Sequence, residues 1–125
     1  MAEVDPFGKD PHSSGAKLDY GKNRLGLILG GFAKALLEVG KVGTYGANKY
    51  VANGWKDVPD AKVRYTDAMY RHLLSEECGE LRDPDTGIFH AAHAAWNALA
   101  RLYFIVLENE NRKEVLPEQV QVRQE

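Results

Sequence analysis

Apolar positions along this chain recur at helical spacing, and no stretch alternates with a period of two. Between Arg24 and Val39, Leu25, Ile28, Leu29, Phe32, Leu36 and Val39 follow the i, i+3, i+4, i+7 stripe of a core-facing helix. The spacing predicts a helix over 24–39 that starts after Asn23 as N-cap and stops at Gly40. The Gly30–Gly31 pair offers a close packing point or a bend. Residues 41–53, KVGTYGANKYVAN, read as a short, broken helix, because Gly43 and Gly46 weaken it. Asn53-Gly54 then signals a turn.

Pro59 and Asp60 mark the start of a second strong helix, expected over 60–80. On it Arg64, Asp67, Arg71 and Ser75 share one face. His72, Glu76 and Glu80 form a second polar stripe, leaving Val63, Tyr70, Leu73 and Leu74 for apolar contact. RDPDTG at 82–87 breaks the helix through Pro84, and Asp85 or Thr86 is placed to cap the next helix. From Gly87 to about Glu110 runs the longest predicted helix, nearly apolar all round: Ile88, Phe89, Ala92, Trp96, Leu99, Leu102, Phe104, Ile105 and Val106. One polar stripe crosses it. His90, His93, Asn97 and Arg101 recur at i, i+3, i+7 and i+11, and a buried polar stripe needs partners.

The pattern gives an all-α fold, a small bundle of about four helices. So small a core with so apolar a helix points to completion by oligomerisation, as a dimer or tetramer. Residues 1–16 read as a flexible arm, 17–110 as a single helical domain and 111–125 as a polar tail.

Composition narrows the function classes. At 125 residues and net charge −2, the chain has no bulk electrostatic reason to bind nucleic acid or an anionic membrane. No apolar run approaches the roughly 18 residues of a membrane span. The N-terminal residues lack an apolar signal core, so a cytoplasmic location is expected. Cys78 is the single cysteine, which excludes an internal disulfide and a cysteine-only zinc site.

Candidate chemistry concentrates between Arg71 and Asn97. Glu76, Glu77 and Glu80, followed by Asp83 and Asp85, put carboxylates near a helix C-terminus, where the dipole disfavours them unless a cation offsets the charge. Glu77 and Glu80, i and i+3 on a helix, could reach one hard cation such as Mg²⁺. H-x-x-H at His90 and His93, with His72 and an acid, could instead hold Mn²⁺ or another divalent transition metal, or supply a general base. An antiparallel pair of helices would bring the acid cluster and the histidine stripe face to face. Lys17 or Lys22, beside Gly21, could lie near an anion. Lys49, Arg64 and Arg71 could neutralise phosphates, with His72 beside them. Tyr45, Tyr50 or Trp55 could stack on a base, or pack a loop onto the core.

EECGEL at 76–81 resembles an element of the MazG-type all-α nucleoside triphosphate pyrophosphohydrolases. The ordered motifs KLDYGKN, TYGANKY, NGW, RYTDAMYRH, GE, DPDTG and HAAHAAWN, from Lys17 to Phe104, are similar to a phage-associated family, the dATP/dGTP diphosphohydrolase N-terminal domain. The resemblance implies metal-dependent hydrolysis of a (deoxy)nucleoside triphosphate to monophosphate and pyrophosphate, in the host cytoplasm if phage-encoded. It implies Glu77 and Glu80 as Mg²⁺ ligands, joined by Asp83 or Asp85, with Glu76 in support. Where the superfamily has a second E-x-x-D pair, this chain has His90, His93 and Asn97. On this reading His90 joins the metal shell, and His93 and Asn97 complete it or orient the attacking water. The departure keeps three alternatives open: a non-catalytic nucleotide-sequestering protein, a histidine/aspartate metal phosphohydrolase, and a helical assembly protein.

Overall fold

The computed structural model describes residues 2–112. Four α-helices occur in order: α1 at Gly26–Leu29, α2 at Ala33–Lys49, α3 at Ala61–Glu77 and α4 at His90–Asn111. A 3-10 turn at Gly54–Asp57 lies between α2 and α3. The fold is all-α; among the described residues the one extended pairing is an isolated antiparallel bridge between Arg82 and Phe89.

The helix expected over 24–39 is two helices. The chain breaks after Leu29, and a Cβ on Gly31 would stand 2.6 Å from the carbonyl oxygen of Leu27, so only glycine fits that approach. Gly40 does not end the helix; α2 continues through Gly43 and Gly46 to Lys49. Packing overrides the propensity cost there. Gly43 faces Trp96, whose indole Nε1 would lie 3.6 Å from an added Cβ, and the neighbouring Val42 is buried against Ile88, Ala92 and Trp96.

The structure shortens α3 at its far end. The helix stops at Glu77 and Gly79 turns through φ 97°, a left-handed value that suits glycine. Glu80 therefore lies beyond the helix, and its i, i+3 relation to Glu77 does not form. α4 starts at His90 rather than Gly87, and neither Asp85 nor Thr86 caps it. Instead the Asp83 Oδ1 accepts the amides of Asp85 at 2.7 Å and Thr86 at 3.2 Å and winds the loop. The amides of Asp83 and His90 bond the carbonyls of Ile88 and Leu81.

α3 and α4 run antiparallel, as their paired residues show. Lys62 meets Glu108 at 3.1 Å, Arg101 donates to Thr66 at 2.9 Å, and His72 meets His90 at 2.8 Å. Trp55, Tyr65, Trp96, Tyr103 and Phe104 form an aromatic cluster, largely edge-to-face at 5.0–6.2 Å, which ties the 3-10 turn to both helices. Among the described residues the buried apolar side chains are Val42, Ala61, Ile88, Ala92, Ala94 and Ala100, a core of mostly alanine. Leu27, Leu29, Phe32, Leu37, Leu99 and Leu102 are each more than half exposed.

In its described part the N-terminal arm makes contacts with itself and with the segment that follows it. Asp5 accepts the amides of Phe7 at 2.7 Å and Lys17 at 2.8 Å, and Lys22 pairs with Glu3 at 2.8 Å. The polar tail expected from residue 111 lies outside the described residues apart from Asn111 and Arg112. No helix among the described residues is long and apolar enough to cross a membrane.

Candidate functional site

A cleft of about 1170 Å³ opens between the C-terminal half of α2, the 53–58 turn, α3 and the first turns of α4. Its rim carries Lys49, Arg64 and Arg71, and its floor carries His72, His93 and Asn97. The periodicity explains the convergence. Arg64 and Arg71 are seven residues apart on α3, so both emerge on one side. His93 and Asn97 are i and i+4 on α4, opposite His72. Tyr45, Tyr50, Trp55 and Asp85 also line the cleft. Lys49 Nζ lies 5.8 Å and 5.2 Å from the rings of Tyr45 and Tyr50, holding both aromatics beside a cation. Trp55 is committed to the aromatic cluster, its indole edge-on to Trp96, Tyr103 and Phe104.

Tyr65 is a lining residue that the motifs do not single out. Its hydroxyl donates to the Trp55 carbonyl at 3.0 Å and steadies the turn. The sequence does carry a signal for it, because Tyr65 precedes His72 by seven residues and so shares its face.

Beside the cleft floor the histidines form a connected set. His90, His93 and Asn97 are buried, at 3%, 7% and 6% exposure. The His72 ring stacks on His93 with centroids 4.4 Å apart and planes 7° from parallel. His72 Nδ1 lies 2.8 Å from His90 Nδ1. His90 Nε2 lies 2.7 Å from Glu80 Oε1, and His93 Nε2 lies 2.8 Å from Thr86 Oγ1. Asn97 donates Nδ2 back to the His93 carbonyl at 2.8 Å, which leaves its Oδ1 and second N–H for a ligand. The turn at Gly79 is what swings Glu80 onto His90.

Burial holds His72 below the usual histidine value of 6.5, and the rings of His93 and His90 push the same way against Asp83. Burial likewise lowers His93, opposed by Asp83 and assisted by His90. Both are therefore neutral near pH 7. Burial alone would raise Asp83, but the amides of Asp85 and Thr86, with His93 and His72, bring it below the usual carboxylate value.

The remaining candidates lie apart from the cleft. Lys17 offers its amide to Asp5 and Lys22 its ammonium to Glu3. Glu76 is half-buried and Glu77 exposed at the end of α3, and neither lines the cleft. Among the described residues the one group of three whose ligand atoms lie within 4.8 Å of one another is His72, Asp83 and His90. That set is two imidazole nitrogens and one carboxylate oxygen, whereas Mg²⁺ prefers an all-oxygen shell.

Fold and site define a small all-α domain with a cation-rimmed cleft set against a largely buried histidine cluster that carboxylates flank. Residues 12–114 match the family described as dATP/dGTP diphosphohydrolase, N-terminal, and the chain belongs to that family. It is also 40% identical over 83 residues, 66% of this chain, to a protein of Salmonella phage PMBT28 named dATP/dGTP diphosphohydrolase. The matched segment spans 27% of that relative's length. No solved structure matches the chain significantly.

Proposed function

We propose that this chain binds a purine deoxynucleoside triphosphate in the cleft and, with a divalent cation, hydrolyses it between the α- and β-phosphates to a monophosphate and pyrophosphate. The observation that carries the reading is the convergence of Lys49, Arg64 and Arg71 on a cleft floored by His72, His93 and Asn97. Three cations suit a polyanion, and charge-assisted bonds from a guanidinium hold phosphate in a fixed orientation. The cleft volume, about 1170 Å³, leaves room for a nucleotide beside sites that typically run to about 1,000 Å³. The purine preference comes from the name of the phage relative.

In this reading the phosphates lie against Arg64, Arg71 and Lys49, and the base lies against Tyr45 or Tyr50. Water attacks the α-phosphorus, and the bond from that phosphorus to the bridging oxygen breaks, releasing pyrophosphate. The cations offset the charge that builds on the phosphoryl oxygens. His93, neutral near pH 7, takes the proton from the water. Because its Nε2 is held by Thr86, Nδ1 is the nitrogen left for that task. The Asn97 Oδ1 orients the same water.

The test incubates the purified chain with dATP, dGTP, dCTP and dTTP and each of Mg²⁺, Mn²⁺ and Co²⁺, with pyrophosphate and orthophosphate read separately. Pyrophosphate release from the purine nucleotides is expected. A second reading, binding without turnover, is favoured by one observation: the segment matched makes up 27% of the relative, so that protein's named activity is not located within it. Stoichiometric recovery of intact bound nucleotide would support the second reading and overturn the first.

A further inference from the structure

We propose that His72 Nδ1, His90 Nδ1 and Asp83 Oδ2 form a centre for one divalent transition ion of the Mn²⁺, Co²⁺ or Zn²⁺ class. It differs from the Mg²⁺ site on Glu77 and Glu80 that the superfamily resemblance implies. Glu80 acts as a positioning residue for it.

Three observations converge. First, one ligand atom from each of the three residues lies within 4.8 Å of the other two, and His72 Nδ1 stands 2.8 Å from His90 Nδ1 and 3.8 Å from Asp83 Oδ2. They come from three different segments, α3, the 78–89 loop and α4, so the cluster is a product of the fold rather than of local sequence. Second, each donor is aimed by another bond. Glu80 accepts at His90 Nε2 over 2.7 Å, which fixes the proton there and leaves a lone pair on Nδ1. This is the carboxylate–histidine arrangement that orients and strengthens metal-binding imidazoles. Asp83 gives Oδ1 to the amides of Asp85 and Thr86, which leaves Oδ2 facing His72 Nδ1 at 3.8 Å. The His72 ring is fixed by its stack on His93. Third, the two Nδ1 atoms stand only 2.8 Å apart. Two nitrogens that share a tetrahedral ion at about 2.0–2.1 Å stand roughly 3.3 Å from each other, so the rings open by about half an ångström to admit one.

The chemistry of the donors selects the ion. Imidazole nitrogen suits Co²⁺ and Zn²⁺, Mn²⁺ binds such a set more weakly, and Mg²⁺ dehydrates reluctantly and takes oxygen. Three protein ligands leave at least one coordination position for water or a phosphate oxygen. His72 also lines the cleft, so the centre adjoins the place where the proposed nucleotide would lie. The centre does not depend on hydrolysis. It would hold its ion equally in a chain that binds nucleotide without turnover.

The decisive experiment titrates Co²⁺ into the chelator-stripped, full 125-residue chain without nucleotide, following visible d–d absorption, with calorimetry for Zn²⁺, Mn²⁺ and Mg²⁺. Saturation at one Co²⁺ per chain is expected, displaced by Zn²⁺ and unaffected by Mg²⁺ at millimolar concentration. His72→Ala and His90→Ala should abolish the spectrum. Glu80→Gln should weaken binding by about 10- to 100-fold, as for other second partners of metal-bound histidine, with helix content intact by circular dichroism. Glu77→Gln should bind as the parent does. Where an alanine variant loses its helix content, Asp83→Asn takes its place: it keeps an oxygen for the loop amides, removes the charged ligand and should also lose Co²⁺. No saturable Co²⁺ binding, binding unchanged in a folded His90→Ala chain, or displacement by Mg²⁺ would overturn the proposal. The nucleotide assay reads separately, so failure of one leaves the other standing.

Discussion

His72 Nδ1 and His90 Nδ1 face each other at 2.8 Å across the antiparallel α3–α4 pair. At that separation one proton at most fits between them. Together with the stack of His72 on His93, the contact packs three imidazoles where a second positive charge is unwelcome.

The metal-free chain should therefore show a pH-dependent stability. His72 and His93 both titrate below 6.5 when folded, chiefly because burial disfavours their charged forms. Below that pH the unfolded chain binds more protons than the folded chain, so stability falls with falling pH. Thermal midpoints in chelator should hold steady above about pH 7 and drop between roughly pH 6.5 and 5. A midpoint that is flat or rises across that window would contradict the arrangement.

Charge at the cleft rim should matter, and charge elsewhere should not. Arg71 lines the cleft, while Lys22 pairs with Glu3 away from it. Removing a charge-assisted bond costs about 1.5–3 kcal/mol. Arg71→Ala should therefore weaken dGTP binding by about 10- to 100-fold by calorimetry, and Lys22→Ala should leave it unchanged.

Gly43 lies where α2 meets Trp96 of α4. A methyl there would meet Trp96 Nε1 at 3.6 Å, an ordinary contact. Gly43→Ala should thus be tolerated, with a helix-propensity gain of up to about 1 kcal/mol. Gly43→Leu should cost about 1–3 kcal/mol by overpacking. Urea denaturation of the two variants measures the difference, and a Leu variant as stable as the Ala variant would show that the helices do not meet there.

Exposed apolar surface predicts self-association. Leu27, Leu29 and Phe32 lie more than half exposed near the start of α2, and Leu99 and Leu102 do so on α4, while the buried core is mostly alanine. Surface of this kind marks an interaction face. Sedimentation equilibrium should return a dimer or tetramer, and Leu102→Lys or Leu37→Lys should shift it toward monomer. A monomer at all concentrations would exclude self-association.

Much of this is legible in the chain. The stripe of His90, His93, Asn97 and Arg101 belongs to a helix whose period is strong, and the structure turns that face onto α3. The cleft candidates from Tyr45 to His72 come from residue type alone, and the structure places them along one cleft. Two things are not legible. Helix α2 runs through Gly40, Gly43 and Gly46, with Val42 buried against Ile88, Ala92 and Trp96 on α4 and its approach, a tertiary contact that local propensity does not show. The fate of Glu80 is hidden too. EECGEL reads as helix, yet the left-handed turn at Gly79 carries Glu80 off α3 and onto His90. Whether a glycine interrupts or ends a helix depends on what its neighbours gain, and here the gain lies ten residues further along the chain.

Turnover of nucleotide by this domain itself, at the cleft, can be read by time-resolved chromatography. In that assay dGTP is incubated with the purified chain and Mn²⁺, alongside Arg71→Ala and His93→Gln variants. The parent chain is expected to yield dGMP and pyrophosphate in equal amounts, with both variants slowed by about 10-fold or more. Intact dGTP after prolonged incubation with folded, nucleotide-bound protein, or equal rates in all three chains, would contradict turnover at the cleft.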